Sequence, residues 1–186
     1  IKPLNPKMLV IGRAMPVLEQ DLKDSKTHDT IKHPFGLMFE ALDQLKENEV
    51  YICTGSIANY ALWGGLMSTR ALKLKAAGAV VNGMTRDTNE ILLLNFPTFS
   101  CGTYAKDQLP RGKVLDFRVS IEWDGIKINP GDIIFGDRDG VIVVPKELEK
   151  ETFTKAFDKA RAEKKVLKAL QNGMSTVDAF NKFGIM

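Results

Sequence analysis

The sequence predicts a mixed α/β fold, in which a small parallel sheet is followed by an antiparallel β part with flanking helices. Up to residue 94, short apolar runs alternate with segments of helical periodicity, which is the strand, helix, strand order of a parallel sheet. Beyond residue 94, short β-branched or aromatic runs are separated by turn residues, which is typical of antiparallel strands.

The first half contains the predicted parallel part. Residues 8–15 form an apolar run bounded by Pro6 and Pro16, and this pattern predicts a strand because proline is better tolerated at strand ends than in their middle. Residues 19–33 are polar and aperiodic, which predicts a loop. The remaining predicted elements here are a helix over 34–48, a strand over 50–53, a helix from about 65 to 75 that stops at Gly78, and a strand over 79–81.

The second half contains the predicted antiparallel strands and two terminal helices. Asp124-Gly125 is the strongest hairpin signal in the chain. Gly173 marks the end of a long helix, and Ser175 to Asp178 resembles a capping box that starts a last short helix. The predicted elements are strands over 99–102, 114–123, 126–128, 132–135 and 141–144, and a helix over 146–170.

Composition limits the functional classes. The 186 residues are 44% hydrophobic and 26% charged, which predicts one soluble domain, 1–186, with helices 146–183 packing on it or on a neighbouring subunit. A net charge of +3 argues against nucleic-acid binding, and no apolar run is long enough to span a membrane. Two cysteines without a disulfide pattern favour the cytoplasm. Because the chain begins at Ile1, we expect a natural start, with another helix, before it.

Several common catalytic and metal-binding motifs are absent. The chain has no Walker phosphate loop, no complete Gly-x-Gly-x-x-Gly, no Gly-x-Ser-x-Gly and no Cys-x-x-Cys. The two histidines, His28 and His33, are more typical of solvated side chains than of a metal site. Residues 137–140 lack the distal glutamate of a calcium loop, so a β-turn is the better interpretation.

Two stretches have the chemistry of a binding site. Gly64-Gly65 opens a predicted helix, where free N–H groups and the helix dipole favour an anion; a tight turn that needs small residues is the alternative. Arg86-Asp87 follows a predicted parallel strand, and ligands of α/β sheets gather at the carboxyl ends of such strands. Arginine can clamp a carboxylate and aspartate can hold Mg²⁺; a surface ion pair or a helix cap by Asp87 is the alternative.

Six landmarks in order resemble the RraA-like family, which includes 4-hydroxy-4-methyl-2-oxoglutarate aldolases and the regulator of ribonuclease activity A. The resemblance covers nearly the whole chain and implies a swivelling β/β/α fold that assembles as a homotrimer or hexamer. The landmarks are Trp63-Gly64-Gly65-Leu66, residues 78–83, Arg86-Asp87, Phe96-Pro97-Thr98-Phe99 with Gly102, Pro130-Gly131-Asp132, and residues 137–145.

The resemblance implies a metal-dependent carbon–carbon lyase that acts on a small 2-oxo acid. Cleavage would proceed by retro-aldol reaction or by oxaloacetate decarboxylation through a pyruvate enolate. Asp87 is expected to anchor Mg²⁺ or Mn²⁺, Arg86 to bind the pyruvyl portion, and Glu163 to reach the site of a neighbouring subunit. The expected substrate-binding residues are Gly64, Gly65, Leu66, Met67 and Arg86, with the backbone amides of Leu66 and Met67 holding the substrate carboxylate.

One departure from the family pattern concerns the proton. Active members carry an aspartate twenty-one positions before the arginine, and here that position is Gly65. Its absence predicts that Gly65→Asp raises the rate. The alternatives are a non-catalytic protein-binding regulator and a relative that binds another keto acid or sugar acid.

Overall fold

The structure, a computed structural model, describes residues 1–22, 33–54 and 60–185. These residues form two units, Ile1–Lys146 and Glu147–Met186. The strands are β1 (Lys2–Pro3), β2 (Val10–Asp21), β3 (Glu49–Cys53), β4 (Ala61–Trp63), β5 (Gly78–Val81), β6 (Met84–Thr85), β7 (Thr98–Ser100), β8 (Gly102–Thr103), β9 (Gly112–Phe117), β10 (Ile121–Trp123), β11 (Ile126–Ile128), β12 (Ile133–Asp137) and β13 (Gly140–Val144). The α-helices are α1 (Met38–Asp43), α2 (Gly65–Lys73), α3 (Thr88–Leu94), α4 (Glu149–Gln171), which follows a 3₁₀ turn at Lys146–Leu148, and α5 (Thr176–Phe183).

A mixed sheet is the centre of the first unit. Its order is β1-β7-β5-β3-β2-β12-β13, with β9 paired to the second half of β2. The pairs from β2 through β3 and β5 to β7 are parallel, and the remaining pairs are antiparallel. A second, three-stranded parallel sheet has the order β4-β6-β8, and β10 pairs with β11 as a hairpin. The predicted mixture of parallel and antiparallel sheet is confirmed.

Hydrophobic residues cover both faces of the central strands. On β3, Tyr51 and Cys53 belong to one core cluster, whereas Val50 and Ile52 belong to the cluster on the opposite face. All four are at most 1% exposed. A strand buried on both sides needs a continuous apolar run, which explains why this segment lacks alternation.

Strand β2 is longer than the strand predicted over residues 8–15. It runs from Val10 to Asp21, so the prediction that it stops before Pro16 was wrong, and residues 19–21 are strand rather than loop. On this edge Ala14 bonds to residues 131 and 132, whereas the Pro16 carbonyl accepts from Arg118 N at 2.7 Å. The missing N–H of Pro16 therefore falls where the partner strand changes from β12 to β9, so no ladder bond is lost.

Two further predictions required correction, and three short strands were missed. Residues 98–100 form β7, which pairs with β5 in parallel and not in the antiparallel part. The predicted strand 114–123 is divided into β9 and β10 at Arg118, whose φ is 58° and whose guanidinium bonds both Glu49 carboxylate oxygens at 2.7 and 2.8 Å. The short strands β4, β6 and β8 were missed, because two or three residues carry no detectable periodicity.

The turn and cap predictions are confirmed. Asp124 and Gly125 connect Trp123 to its partner Ile126, and both have positive φ, as a two-residue hairpin loop requires. The turn at 138–139 joins β12 to β13, as predicted in place of a calcium loop. His33 is exposed, as expected, whereas His28 lies outside the described residues.

The second unit is a pair of helices. Val166 of α4 and Ala179 of α5 are buried, and the Ser175 hydroxyl caps α5 by accepting from Asp178 N at 3.0 Å. Phe153 and Phe157 of α4 are 42% and 58% exposed. Among the described residues, no helix is long and apolar enough to cross a membrane.

Asp132 provides a test of the fold. Its buried carboxylate accepts from Asn129 N at 2.8 Å and from Lys146 N at 3.0 Å. Asp132→Ala leaves two backbone donors without these acceptors, so we expect the free energy of unfolding to fall by about 3 kcal/mol in urea titrations. The matched control is Asp137→Ala, which removes one exposed bond to Asp139 N and should cost below about 0.5 kcal/mol. Equal losses in the two variants would contradict this role.

Candidate functional site

Arg86 and Asp87 lie at the carboxyl end of a parallel strand, as predicted, but the strand is β6 rather than β5. They occupy the junction between β6 and α3. Arg86 N donates to the Trp63 carbonyl at 3.0 Å, which places this junction beside the start of α2. The two segments selected from the sequence, Gly64-Gly65 and Arg86-Asp87, are therefore brought together.

Asp87 connects the starts of two helices. It occupies the N-cap position of α3 in the left-handed region, with φ 56° and ψ 37°, but makes no side-chain cap bond to that helix. Instead its Oδ2 accepts from Gly65 N, at the start of α2, at 3.1 Å. The alternative prediction, a cap by Asp87 on the helix that follows it, was therefore wrong, because the Asp87 side chain bonds α2 and not α3. A non-glycine residue in this conformation is held by its surroundings and is more common at functional sites.

Arg86 is held between two carboxylates. Its Nη1 lies 2.8 Å from Oδ2 of Asp107, and its Nε lies 3.8 Å from Oδ2 of Asp87. Asp107 is itself fixed, because its Oδ1 accepts from Leu109 N at 3.0 Å. The Arg86 side chain is 38% exposed, so it is oriented by the chain and still accessible. Sequence reasoning missed Asp107, which lies twenty-one positions away in a segment without a motif.

The two glycines leave space for carboxylates. A Cβ at Gly64 would lie 2.8 Å from Oδ2 of Asp87, and a Cβ at Gly65 would overlap Oε2 of Glu90. Gly64 has an extended backbone that any residue adopts, so the requirement for glycine is one of space. Glu90 was not selected from the sequence, and only its proximity to Gly65 in the folded chain identifies it.

The start of α2 is supported by Trp63. Its indole Nε1 donates to the Ser68 hydroxyl at 2.7 Å, and this hydroxyl donates to the Gly64 carbonyl at 3.0 Å. The ring is buried against Tyr51 and Phe96. These contacts fix the first turn, whose remaining N–H groups have no acceptor within the helix.

Two cavities meet at Arg86 and Asp87. The first has a volume of about 230 Å³, and its wall is mainly apolar. The second, of about 400 Å³, has a wall of mixed polarity, and Thr85 contributes a buried hydroxyl without a hydrogen-bond partner among the described residues. The first is lined by Phe35, Met38, Phe39, Ala61, Leu62, Trp63, Gly64, Leu66, Met67, Arg86, Asp87, Asp107 and Gln108.

A buried carboxyl lies next to the first cavity. Gln108, which lines that cavity, donates from Nε2 to Oε1 of Glu19 at 2.7 Å. Burial raises the pKa of Glu19 to about 8, although hydrogen bonds from Gln108 and Tyr60 oppose the shift. Glu19 is therefore protonated at neutral pH. The sequence placed it in a polar loop, because its burial depends on the pairing of β2 with β9.

The metal donors near the site are few. In residues 1–22, 33–54 and 60–185, no group of three or more histidine, cysteine, aspartate or glutamate side chains is arranged to hold a metal. Glu163, expected from a neighbouring subunit, lies on α4 of the second unit, where Lys159 Nζ is 3.7 Å from its carboxylate. Its part in the site stays a prediction.

Comparison with known proteins identifies the family. The model of the RraA-like family, described as Aldolase/RraA, matches residues 1–143. The chain belongs to the RraA-like family.

Two similar proteins match nearly the whole of this chain. A Halalkalibacterium halodurans protein provisionally named 4-hydroxy-4-methyl-2-oxoglutarate aldolase is 30% identical over 186 residues, which is 97% of this chain and 80% of the relative. An uncharacterized Pseudomonas syringae protein of known structure has a TM-score of 0.88 at 25% identity, over 98% of this chain and 80% of that one. The chain spans 28% of one other curated relative and 58% of another.

A third similar protein, of known structure, supports the RraA fold and nothing about function. Streptomyces coelicolor RraAS2, described as an unusual member of the RNase ES inhibitor RraA protein family, has a TM-score of 0.76 at 21% identity, over 88% of this chain and 78% of that one. The swivelling fold expected from the resemblance is confirmed. At the level of the RraA-like family, the relatives' names support a lyase.

The raised pKa of Glu19 predicts a pH-dependent stability. Its pKa rises from 4.5 to about 8 on folding, so the folded chain binds the extra proton, and the associated stability is complete below 4.5 and lost as pH rises to about 8. Between pH 5.5 and 7.5 the natural chain should lose about 2 kcal/mol of unfolding free energy relative to Glu19→Gln. Urea titrations at the two pH values measure this difference, and parallel changes in both proteins would contradict the assignment.

Proposed function

We propose that this RraA-like protein is a metal-dependent lyase that cleaves a C–C bond of a small 2-oxo acid and releases pyruvate. The observation that carries the proposal is the arrangement of Arg86 and Asp87 around the glycine start of α2, beside a cavity of about 230 Å³. The aldolase name of a relative 30% identical over nearly the whole chain supports the same chemistry. The substrate class is a 2-oxo acid cleaved by retro-aldol reaction or by oxaloacetate decarboxylation.

Substrate binding in this proposal uses the arginine and the helix start. Arg86, already oriented by Asp107, donates to the carboxylate of the pyruvyl portion. The backbone N–H groups of Leu66 and Met67 lie in the first turn of the nine-residue helix α2, where unpaired donors and the helix dipole favour an anion. The first cavity, of about 230 Å³, offers space for the rest of a small 2-oxo acid.

The chain's donors fit a divalent ion held mainly by water and substrate. Oδ2 of Asp87 accepts from Gly65 N, while its Oδ1 has no partner among the described residues. Arg86 and the three neighbouring carboxylates of Asp87, Glu90 and Asp107 have a net charge of −2, which a divalent cation would neutralise. Mg²⁺ commonly takes one or two carboxylates and keeps several waters. When bound, Mg²⁺ or Mn²⁺ would supply electrostatic stabilisation of the negative charge that develops on the 2-oxo group.

The chain's own residues contribute orientation and charge. When the C–C bond breaks, its electron pair passes into the pyruvyl portion and gives the enolate of pyruvate. The Arg86 guanidinium stabilises this negative charge without reorganising, because Asp107 already fixes its position. Leu66 and Met67 hold the substrate carboxylate, which keeps the breaking bond in one orientation.

The oligomeric state is part of the same proposal. We infer a homotrimer or hexamer, in which Glu163 of one chain completes the site of the next. The exposed Phe153 and Phe157 on the helix that carries Glu163 give a surface that a second copy could cover. A protein-binding regulator remains the alternative function, and its support is the fold shared with RraAS2.

Removing the proposed metal anchor should slow the reaction strongly. We expect Asp87→Ala to slow the Mg²⁺-dependent release of pyruvate from 4-hydroxy-4-methyl-2-oxoglutarate or oxaloacetate by at least about 100-fold. A coupled pyruvate assay measures the rate. The control, Asp43→Ala, removes an exposed aspartate that pairs with Arg70 at 2.7 Å, and should leave the rate unchanged. Equal rates for the natural chain and Asp87→Ala would refute this site.

Changing the substrate-binding arginine should affect kcat/KM without loss of fold. Arg86→Lys keeps the charge but loses the planar guanidinium, which can donate to Asp107 and to the substrate carboxylate at the same time. We therefore expect kcat/KM to fall by about 100-fold. Arg70→Lys is the matched control, since Arg70 also pairs with an aspartate but lies away from both cavities. A kcat/KM within about twofold of the natural value would exclude Arg86 from binding.

A further inference from the structure

The polar side chains of the first cavity form one contiguous group. They belong to Arg86, Asp87, Asp107 and Gln108, which are two pairs of neighbours in the chain. The pairs are joined by the contact of 2.8 Å between Arg86 Nη1 and Asp107 Oδ2. The rest of the wall is apolar, and its side chains include Phe35, Met38, Phe39, Leu62 and Met67. A 2-oxo acid bound at Arg86 therefore has an apolar surface beyond its pyruvyl portion.

Helix α1 and the residues before it supply much of this apolar wall. Met38 is buried, whereas Phe39 beside it is 54% exposed. The rings of Phe35 and Phe39 pack edge to face, with 5.4 Å between their centroids. An alkyl or aryl group that contacts these side chains removes apolar surface from water on both sides, which favours binding.

A second carboxylate on the substrate would lack a counter-charge in this cavity. Among its lining residues in the described part of the chain, Arg86 is the single cation, and the proposed function uses it for the first carboxylate. Asp87 and Asp107 carry negative charge and repel another carboxylate. The Gln108 amide already donates to Glu19 at 2.7 Å. Transfer of an unpaired carboxylate from water to an apolar wall is costly.

We propose that this site prefers 2-oxo acids that carry an alkyl or aryl group where a diacid has its second carboxylate, and that Phe39 contributes to this selectivity. The inference rests on the proposed function, since it names the substrate class of the same site. The reaction keeps its balance. As the C3–C4 bond breaks, its electron pair gives the pyruvate enolate. The C4 hydroxyl loses one proton and becomes a carbonyl group, and C3 of the enolate gains one proton.

Two ligands of similar shape separate charge from size. The first, 2-oxoglutarate, has a distal carboxylate, and 5-methyl-2-oxohexanoate has an isopropyl group in its place. Neither carries the C4 hydroxyl that retro-aldol cleavage requires. With Mg²⁺ present, we expect the natural chain to bind 5-methyl-2-oxohexanoate at least about tenfold more tightly than 2-oxoglutarate in isothermal titration calorimetry. Pyruvate, which has no distal group, tests binding at Arg86 separately.

A lysine at position 39 should shift the preference. Phe39 has no part in the proposed chemistry and is half exposed, so Phe39→Lys should keep the fold, as circular dichroism and the Tm would check. The new ammonium pairs with a distal carboxylate, and we expect the ratio of the two affinities to move by at least about tenfold toward 2-oxoglutarate.

Phe180→Lys is the matched control for this variant. Phe180 is 55% exposed, against 54% for Phe39, so the substitution and the change in net charge are the same. It lies on α5 and is not among the described residues that line the cavity. Its affinity ratio should stay within about twofold of the natural value.

Cleavage gives a second readout of the same preference. Both 4-hydroxy-4-methyl-2-oxopentanoate and 4-hydroxy-4-methyl-2-oxoglutarate release pyruvate, and only the second has a distal carboxylate. Relative to the natural chain, Phe39→Lys should lower the ratio of kcat/KM for the first substrate to that for the second by about tenfold. The different intrinsic reactivities of the two substrates cancel in this comparison.

The outcomes distinguish the two proposals. If the natural chain binds pyruvate with Mg²⁺ but binds 2-oxoglutarate as tightly as its apolar analogue, the inference is overturned and the proposed function stands. Equal ratios in Phe39→Lys and Phe180→Lys would also overturn it, because Phe39 would not contribute to the selectivity. If the natural chain neither binds pyruvate nor releases it from either hydroxy acid, the proposed function fails and the inference with it. The comparison of ligands in the natural chain depends on no variant.

Discussion

The hydrogen bond from Gly65 N to the Asp87 carboxylate is the interaction on which the site depends. It joins the start of α2 to the start of α3 at 3.1 Å. A charged acceptor makes such a bond worth about 1.5–3 kcal/mol, which is comparable to the cost, on the order of 1–3 kcal/mol, of a strained residue such as Asp87. The bond can therefore hold Asp87 in its left-handed conformation, with Arg86 beside it. Without it, the Asp87 carboxylate would lose its hydrogen bond to α2, whereas Arg86 would still be held by Asp107.

Space at the same helix start is the second constraint. Gly64 and Gly65 carry no side chains, and the carboxylates of Asp87 and Glu90 occupy the positions that side chains would take. The glycines thus concentrate negative charge beside the guanidinium of Arg86, which Asp107 pairs on its other side. The resulting excess of carboxylate is the electrostatic condition for a cation, while the free N–H groups of the first turn favour an anion next to it.

The predictable part of the fold is the part with strong local signals. The helix start at Gly65, the hairpin at Asp124-Gly125 and the cap at Ser175 were all predicted, because each depends on residues close in sequence. The extent of β2 past Pro16 was not predicted, since residues 17–21 pair with β9, a strand that lies more than ninety residues later in the chain. Likewise, the sequence around β7 predicts a strand of the antiparallel part, and only its pairing with β5 shows that it runs parallel to that strand.

The sequence by itself determined the family resemblance, the mixed sheet and the pairing of an arginine with an aspartate at a strand end. These follow from composition, periodicity and short motifs, which are properties of neighbouring residues. Only the tertiary structure decided that Asp107 bonds Arg86 and that Glu90 lies against Gly65. Asp107 and Glu90 lie in different segments from Gly65, and their proximity depends on how β6, α2 and α3 meet. Burial of Glu19, and hence its raised pKa, has the same origin, because desolvation depends on what the folded chain packs around a group.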